Sequence, residues 1–365
     1  MTHPPDEPSN NLSAGTIPLL RVLDAAGNRA REGLRVVEDF ARFVLDDRHL
    51  TDCCKQLRHQ LTAALARIPS ADRLAARETR ADVGTTLTAP AEQLRTTSKA
   101  VLEANFGRLQ EALRSLEEFG KLRDPQLGIE MEQLRYRSYT LHRAMMIEQE
   151  SLDRLAGARL YVLIDGRGTA AEFERLVRWL IEAGVDVLQL RDKHLDDRTL
   201  LERGRLLSRL TRGSNTLAIV NDRPDLAVLA QADGVHVGQE ELTVKDARTI
   251  VGPQRLVGVS THSVDQARQA VLDGANYIGV GPTFPSATKQ FPHFPGLDLV
   301  AAVAGEIRLP AFAIGGIGPE NLDAVLAAGL RRVAVGGAIT AAADPAAVAR
   351  AMKEKLRDES TRNGY

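Results

Sequence analysis

Residues Ile219–Leu242 read IVNDRPDLAVLAQADGVHVGQEEL, and the order of residue types in this stretch decides the fold. Two short apolar runs, Leu217–Val220 and Gly234–Gly238, each end in polar and acidic residues. Asn221 and Asp222 follow the first; Gln239, Glu240 and Glu241 follow the second. Between them Pro224–Ala230 has the make-up of a short helix opened by a proline in its first turn, where a missing N–H costs nothing. That is a strand–helix–strand unit, and its right-handed crossover lays the two strands parallel and close together. Asp222 and Glu241 then emerge at one edge of the sheet. Two carboxylates there suit Mg²⁺, which takes one or two carboxylates and fills its octahedron with water and phosphate oxygens. Two solvated loop acids are the plain alternative.

The same punctuation recurs along the C-terminal part of the chain. Strand-like runs fall at 160–165, 185–191, 216–222, 234–238, 255–260, 277–281, 310–317 and 332–339, with amphipathic helical stretches between most of them. Eight such units predict an α/β fold, a (β/α)₈ TIM barrel over residues 158–365, whose active site sits at the C-terminal ends of the strands. The polar clusters fall at those ends. Gln189, Arg191 and Lys193 are spaced at period two, so they share one face and converge on the mouth, where two cations and an amide suit an anionic ligand. Asn221 and Asp222 follow the third strand, Gln239 and Glu241 the fourth, and Ser260, Thr261 and His262 the fifth. Ser286, Thr288 and Lys289 follow the sixth in a proline-rich loop with the length of a lid. Gly315–Gly316 and Gly336–Gly337 close the seventh and eighth, where barrels commonly hold phosphate on backbone N–H groups. Asp233 precedes its strand and belongs to the opposite, structural end. His236, mid-strand, is either a packing residue or a group facing substrate. A mouth with room for two phosphorylated ligands, and without paired carboxylates over an organic centre, fits transfer from a diphosphate ester better than isomerisation.

The N-terminal part has helical periodicity and an internal duplication. LDAAGNRAREGLRVVEDFAR, from Leu23, returns as LEANFGRLQEALRSLEEFGK, from Leu102, repeating Arg29 as Arg108, Glu32 as Glu111, Arg35 as Arg114 and Phe40 as Phe119. Two such helices pack about a pseudo-twofold axis, and Leu34, Val37 and Phe40 are expected to be buried against Leu113, Leu116 and Phe119. Between the copies RETRADVGTTLTAP offers Arg80, Gly84 and Thr85 as a weak phosphate cradle. The expected organisation is a disordered tail over 1–15, an all-α domain over 16–150, a polar linker over 151–157, and the barrel.

The 365 residues carry a formal net charge of −1, which argues against a nucleic-acid surface and leaves any anion binding local. Cys53 and Cys54 are the only cysteines, adjacent in a helical pattern. They make neither a metal site nor a disulfide framework, which fits a reducing, cytoplasmic setting. No run is long and apolar enough to span a membrane, so no membrane partner is expected.

Two resemblances follow from these motifs. DAxxNRxxEGLRVxEDxxR, DVGT and ANxxRxxEALRxLEEFxK resemble the small, unconventional kinase domain for hydroxymethylpyrimidine phosphate, over about Thr16–Ile147. That resemblance implies ATP as co-substrate and Arg29, Glu32, Arg80, Gly84, Thr85, Asn105, Arg108 and Glu111 as candidate kinase residues. Ala26 stands where the second copy has Asn105, which leads to the expectation of one productive site rather than two.

QLRDK, VNDRPDLA, ADGVHVGQEEL, GVSTHS, GPTFPSATK and AIGGI resemble the motifs of thiamine phosphate synthase over residues 158–355. That implies Arg191, Lys193, Asn221 and Lys289 on a diphosphate, Asp222 and Glu241 on Mg²⁺, and Gln189 and His236 lining a pyrimidine pocket. Ser260 would orient the diphosphate, with Lys193, Ser260 and Lys289 as the catalytic residues. Ser286, Thr288, Gly316, Gly336 and Gly337 would hold thiazole phosphate. Glu241 replaces the usual Asp, Ser286 the usual Thr and Gly337 the usual Ser. The expected partners are pyrimidine phosphate or diphosphate and thiazole phosphate; a homo-oligomer is left open. The competing expectations are a noncatalytic dimerisation or regulatory helical module on a synthase barrel, and a regulatory barrel that binds thiamine phosphate without turnover.

Overall fold

The computed structural model describes residues 16–79, 95–285 and 295–362, so the N-terminal 15 residues expected to be a tail lie outside it. The chain divides into two compact units, one of residues 1–46 and 50–142, the other of 47–49 and 143–365.

The first unit is all helical: α1 Thr16–Phe43, α2 Arg48–Leu65, α3 Ser70–Ala76, α4 Ser98–Lys121 and the start of α5 Pro125–Arg154. The repeated sequence forms α1 and α4. Leu34, Val37, Leu113 and Leu116 are buried as expected. Phe119 is not; it is 39% exposed while its twin Phe40 is 5% exposed. The copies diverge at this end, where residues 122–124 connect α4 to α5 and 44–47 connect α1 to α2. Gly33 allows the close approach of the two helices, since a Cβ there would lie 3.0 Å from the Asn105 carbonyl oxygen.

The duplication reaches further than the sequence revealed. Buried Glu38 accepts from Arg58 Nε of α2 at 2.9 Å, and its twin Glu117 accepts from Arg135 Nε of α5 at 2.9 Å. Leu50, Leu57 and Arg58 recur as Leu127, Leu134 and Arg135 at one constant offset. The repeat is therefore a two-helix hairpin, locked each time by an arginine on a buried glutamate. Burial alone would raise the Glu117 carboxyl; Arg135, Lys121 and Arg114 outweigh it and hold the group below the usual carboxylate range. Removing one partner of such a pair costs about 3–5 kcal/mol, because the other charge stays buried.

The second unit contains the predicted barrel. Its strands are β1 Leu160–Ile164, β2 Val187–Leu190, β3 Leu217–Asn221, β4 Gly234–Val237, β5 Leu256–Thr261, β6 Tyr277–Val280, β7 Ala311–Ile314 and β8 Val333–Val335. They are parallel and close in chain order, β1 pairing with β8 through Leu160 and Val333. The helices that return the chain are α6 Ala170–Glu182, α7 Asp197–Thr211, α8 Pro224–Leu229, α9 Val244–Val251, α10 Val264–Asp273, α11 Gly296–Glu306, α12 Leu322–Ala327, α13 Gly337–Thr340 and α14 Pro345–Arg362. Several start on side-chain caps: Thr169 with Glu172 makes a capping box for α6, and Asp196, Thr243 and Ser263 cap α7, α9 and α10. Each satisfies an N–H that would otherwise have no partner, worth about 1 kcal/mol.

The expected linker over 151–157 is corrected by the structure. Ser151–Arg154 are the last turn of α5, and Leu155 and Ala158 are buried with Tyr161, Tyr277 and Phe312 in the barrel core. The Arg332 guanidinium takes the Leu155 carbonyl at 2.8 Å and also that of Ala158. A polar-looking segment is thus held by its backbone. The division between units falls inside α5, between His142 and Arg143.

At the N-terminal end of the barrel one device is repeated. Asp186, Asp233 and Asn276, each immediately before an even-numbered strand, accept from the backbone N–H of Leu160, Ala218 and Val257 at 2.8, 2.7 and 2.9 Å. Asp233 is therefore at the structural end, as its position before β4 predicts.

Candidate active site

The mouth is assembled from the C-terminal ends of β2 to β8. Parallel pairing sets Leu163, Gln189, Ile219 and Gly234 in one row, with Asn221 and His236 paired in the next. Beyond the strand ends the Lys193 ammonium lies 3.7 Å from an Asp222 carboxylate oxygen and 3.9 Å from one of Glu241. The two acids foreseen as a metal pair thus converge on a single cation position, occupied by Lys193.

Asp222 adopts φ +59°, the left-handed region that only Gly, Asn and Asp visit readily. Its N–H still donates to the His236 carbonyl at 2.8 Å, so the strand pairing runs one residue past β3 and then turns sharply. This places the carboxylate at the rim, 21% exposed.

The Arg191–Lys193 turn depends on a residue that motif reading missed. Asp192 accepts from the backbone N–H groups of Gly166, His194 and Leu195 at 3.1, 2.9 and 3.2 Å. Burial would raise its carboxyl; these three donors outweigh that and hold it below the usual range. Asp192 therefore fixes the loop that presents both cations. Its neighbours Arg191 and Lys193 stand out in the sequence as cations at period-two spacing; an acid bonded to backbone has no such signal.

The pocket floor is aromatic and hydrogen-bonded. Gln189, 3% exposed, donates through Nε2 to Tyr161 Oη at 2.7 Å, and Tyr161 and Tyr277 share a hydroxyl–hydroxyl bond of 3.1 Å. The Tyr277 ring occupies the space left by Gly258, where a Cβ would come within 2.1 Å of it. His236 stacks on Tyr277, with ring centroids 5.5 Å apart, and shares a 3.0 Å bond between Nε2 and Ser260 Oγ. Burial, and then the Arg191 guanidinium, push the imidazole down to about 4, so it is neutral at physiological pH. Its buried Nδ1 has no hydrogen-bond partner among the described residues. Nothing in the sequence sets Tyr161 and Tyr277 apart from the other residues of their strands.

Across the mouth, Gly315 and Gly316 have φ +104° and +62°. A Cβ at Gly316 would press within 2.9 Å of Phe284 and Pro285 backbone oxygens, so the tight loop requires glycine. Gly336 precedes the single-turn helix α13, and a Cβ at Gly337 would meet nothing within 4 Å. Ser286, Thr288 and Lys289 lie outside the described residues, as do Arg80, Gly84 and Thr85 of the helical unit. Among the N-terminal candidates, Arg29, Glu32, Asn105, Arg108 and Glu111 line one cleft between α1 and α4.

A closed parallel barrel with cations and carboxylates at one side of its mouth and glycine turns at the other defines a phosphate-handling (β/α)₈ enzyme. The comparisons with known proteins make this specific. Residues 160–339 match the thiamine monophosphate synthase family, and residues 21–144 match the ThiD2 family, that of the small hydroxymethylpyrimidine phosphate kinase domain. The thiamine-phosphate synthase of Rhodopirellula baltica is 46% identical over 88% of this chain and 88% of its own length. That of Thermosynechococcus vestitus is 43% identical over 93% and 95%. A solved structure, thiamine phosphate pyrophosphorylase from Pyrococcus furiosus, is 31% identical with a TM-score of 0.51, covering 56% of this chain and 97% of that one. The chain belongs to the thiamine-phosphate synthase family and is a transferase. No helix among the described residues is long and apolar enough to cross a membrane.

Proposed function

We propose that the barrel joins hydroxymethylpyrimidine diphosphate to thiazole phosphate, releasing thiamine phosphate and diphosphate, and that the helical unit makes the pyrimidine diphosphate from the monophosphate and ATP. The observation that carries the first activity is the convergence of Asp222, Glu241 and Lys193 on one point of the mouth. The second is supported by the ThiD2 match and by the Arg–Glu pattern carried by both copies of the repeat.

Two hard carboxylates aimed at one cation position are the donor set Mg²⁺ prefers, so Asp222 and Glu241 would hold the ion. When bound, it supplies positive charge for the phosphate oxygens of the leaving diphosphate. Lys193 and Arg191 neutralise the rest of the charge that develops as the carbon–oxygen bond breaks. Positive charge left on the pyrimidine methylene faces a neutral His236, which does not oppose it. Ser260 fixes the His236 ring through Nε2, and Tyr161 holds the Gln189 amide beneath the mouth. The thiazole nitrogen attacks that methylene unprotonated, so no general base is needed. Glycine backbones at 315–316 and 336–337 take the thiazole phosphate.

The test is incubation of the full chain with thiazole phosphate, Mg²⁺ and either pyrimidine diphosphate or pyrimidine monophosphate plus ATP. Thiamine phosphate is expected from both. No product from the supplied diphosphate overturns the barrel assignment. Product from the diphosphate alone would make the helical unit a noncatalytic module.

A further inference from the structure

The cleft between α1 and α4, about 420 Å³, has a lining that is itself duplicated. Arg29 and Arg108 are twins under the sequence repeat, and so are Glu32 and Glu111. Gly33 is matched by Ala112 and Val36 by Ser115, and all of these line the same space. A cavity whose walls are exchanged by the pseudo-twofold operation lies on its axis. The two copies therefore do not carry one site each; they build one between them.

The charges in it differ from the buried acids of these helices. Asp24 is clamped by Arg77 at 2.7 and 2.9 Å, Glu38 by Arg58, and Glu117 by Arg114 and Arg135. By contrast, Arg29, Glu32, Arg108 and Glu111 make no ion pair with any described residue, although all four line one small space. Their complement is a ligand with both an anionic and a hydrogen-donating end.

Asn105 breaks the symmetry. It lines the cleft, while its twin Ala26 is 2% exposed and does not. Its Nδ2 donates to the Val101 carbonyl at 2.8 Å. A carbonyl can only accept, so the amide is oriented and Oδ1 is the atom left for a ligand. Ser115 in place of Val36 adds a second polar group on the α4 side alone.

We infer that this cleft is a single ligand site on the pseudo-twofold axis, which holds one monophosphorylated aminoheterocycle with its phosphate on Arg29 and Arg108. The amino group donates to a glutamate of the cleft and to Asn105 Oδ1. The charged ring would accept the ligand in two poses related by the axis; Asn105 and Ser115 select one. This deepens the assignment of the unit as a pyrimidine phosphate kinase and rests on it.

The test is calorimetric titration of the full chain with hydroxymethylpyrimidine monophosphate, and with the unphosphorylated pyrimidine as control. One equivalent per chain is expected, with the control at least tenfold weaker. Arg29→Ala and Arg108→Ala, at exposed positions, should each lower monophosphate affinity tenfold or more while leaving the unfolding midpoint unchanged. Asn105→Ala should lower affinity severalfold for the monophosphate and the unphosphorylated control alike, because the amino contact is common to both. Two equivalents, no binding by the wild type, or loss in one arginine variant with the other silent would overturn the axial site. The two assignments fail separately. Binding as described without ATP-dependent phosphorylation removes the kinase and keeps the site; undiminished phosphorylation in both arginine variants removes the site and keeps the kinase.

Discussion

At the barrel mouth, charges from different strand ends are already in contact: Lys193 bridges Asp222 and Glu241, and His236 is tied to Ser260. In the helical cleft the charges come from two copies of one helix, and none is paired with another. The mouth has been assembled loop by loop, so each group has its own support and its own role. The cleft has been made by repetition, so each group arrives with a twin and specificity rests on the few positions where the copies differ. The first arrangement is organised before its ligand arrives; the second is completed by it.

Breaking the mouth should therefore take one residue. Asp222→Ala removes a carboxylate from the shared cation position while leaving an exposed rim, and synthase kcat/KM should fall by roughly 10²–10³. Near-normal turnover at saturating Mg²⁺ would show that the acids do not act on the diphosphate end.

The supports should matter next. Asp192→Ala releases three backbone N–H groups and lets Arg191 and Lys193 drift, and a displacement of about 1 Å is enough for losses near 10². The loss should appear chiefly in KM for the pyrimidine diphosphate. Its counterpart at the closed end is Asp233→Ala, which removes one bond to the Ala218 N–H. That variant should lose about 1–3 kcal/mol of stability and keep kcat/KM within twofold. If the two variants exchanged phenotypes, the division between a working and a structural end would be wrong.

A pH experiment sharpens the description of a mouth organised in advance. His236 has a folded pKa of about 4 against about 6.5 when unfolded, so below pH 6.5 the unfolded chain binds the proton first. Stability from this group is present above pH 6.5 and is lost as pH falls towards 4. Between pH 7.5 and 5 the wild type should lose about 2 kcal/mol more than His236→Asn, measured by urea unfolding at each pH. Equal losses would mean that the imidazole is not held neutral.

The smallest expected effect is a gain. Gly337 faces open space, so Gly337→Ser adds a hydroxyl without a clash beside the thiazole phosphate position. KM for thiazole phosphate should fall by about threefold to tenfold, as one hydrogen bond to a charged group allows. An unchanged KM would put the phosphate elsewhere.

The strands were legible because each is a short apolar run that ends in polar residues, and parallel crossover rules leave few ways to connect eight of them. That Asp222 and Glu241 emerge at one edge followed from the same rule; that Lys193 lies between them did not. What stayed hidden has no local signature. Asp192 bonds to backbone, which any residue supplies. Arg58 and Arg135 repeat within helices in which little else but Leu50, Gln56 and Leu57 is kept, so the longer hairpin repeat stands out only when their buried partners, Glu38 and Glu117, are seen. Ser151–Ala158 reads as a polar connector because its ties to Arg332 run through carbonyls. The echo of Arg29 and Glu32 was plain in the sequence, but that both copies face one cleft is a fact of packing.

The clamps at the closed end of the barrel bear on how the chain folds. Asp186, Asp233 and Asn276 reach back only 26, 15 and 19 residues, to the starts of β1, β3 and β5. Such short loops close at small entropic cost, whereas β1 meets β8 across nearly the whole barrel. Each clamp sets the register of one strand pair with a side chain, before the ring exists to enforce it. Refolding should thus proceed from three preformed pairs to a late closure. Pulsed hydrogen exchange should find the amides of Leu160, Ala218 and Val257 protected ahead of Val333, and simultaneous protection of all four would exclude this order.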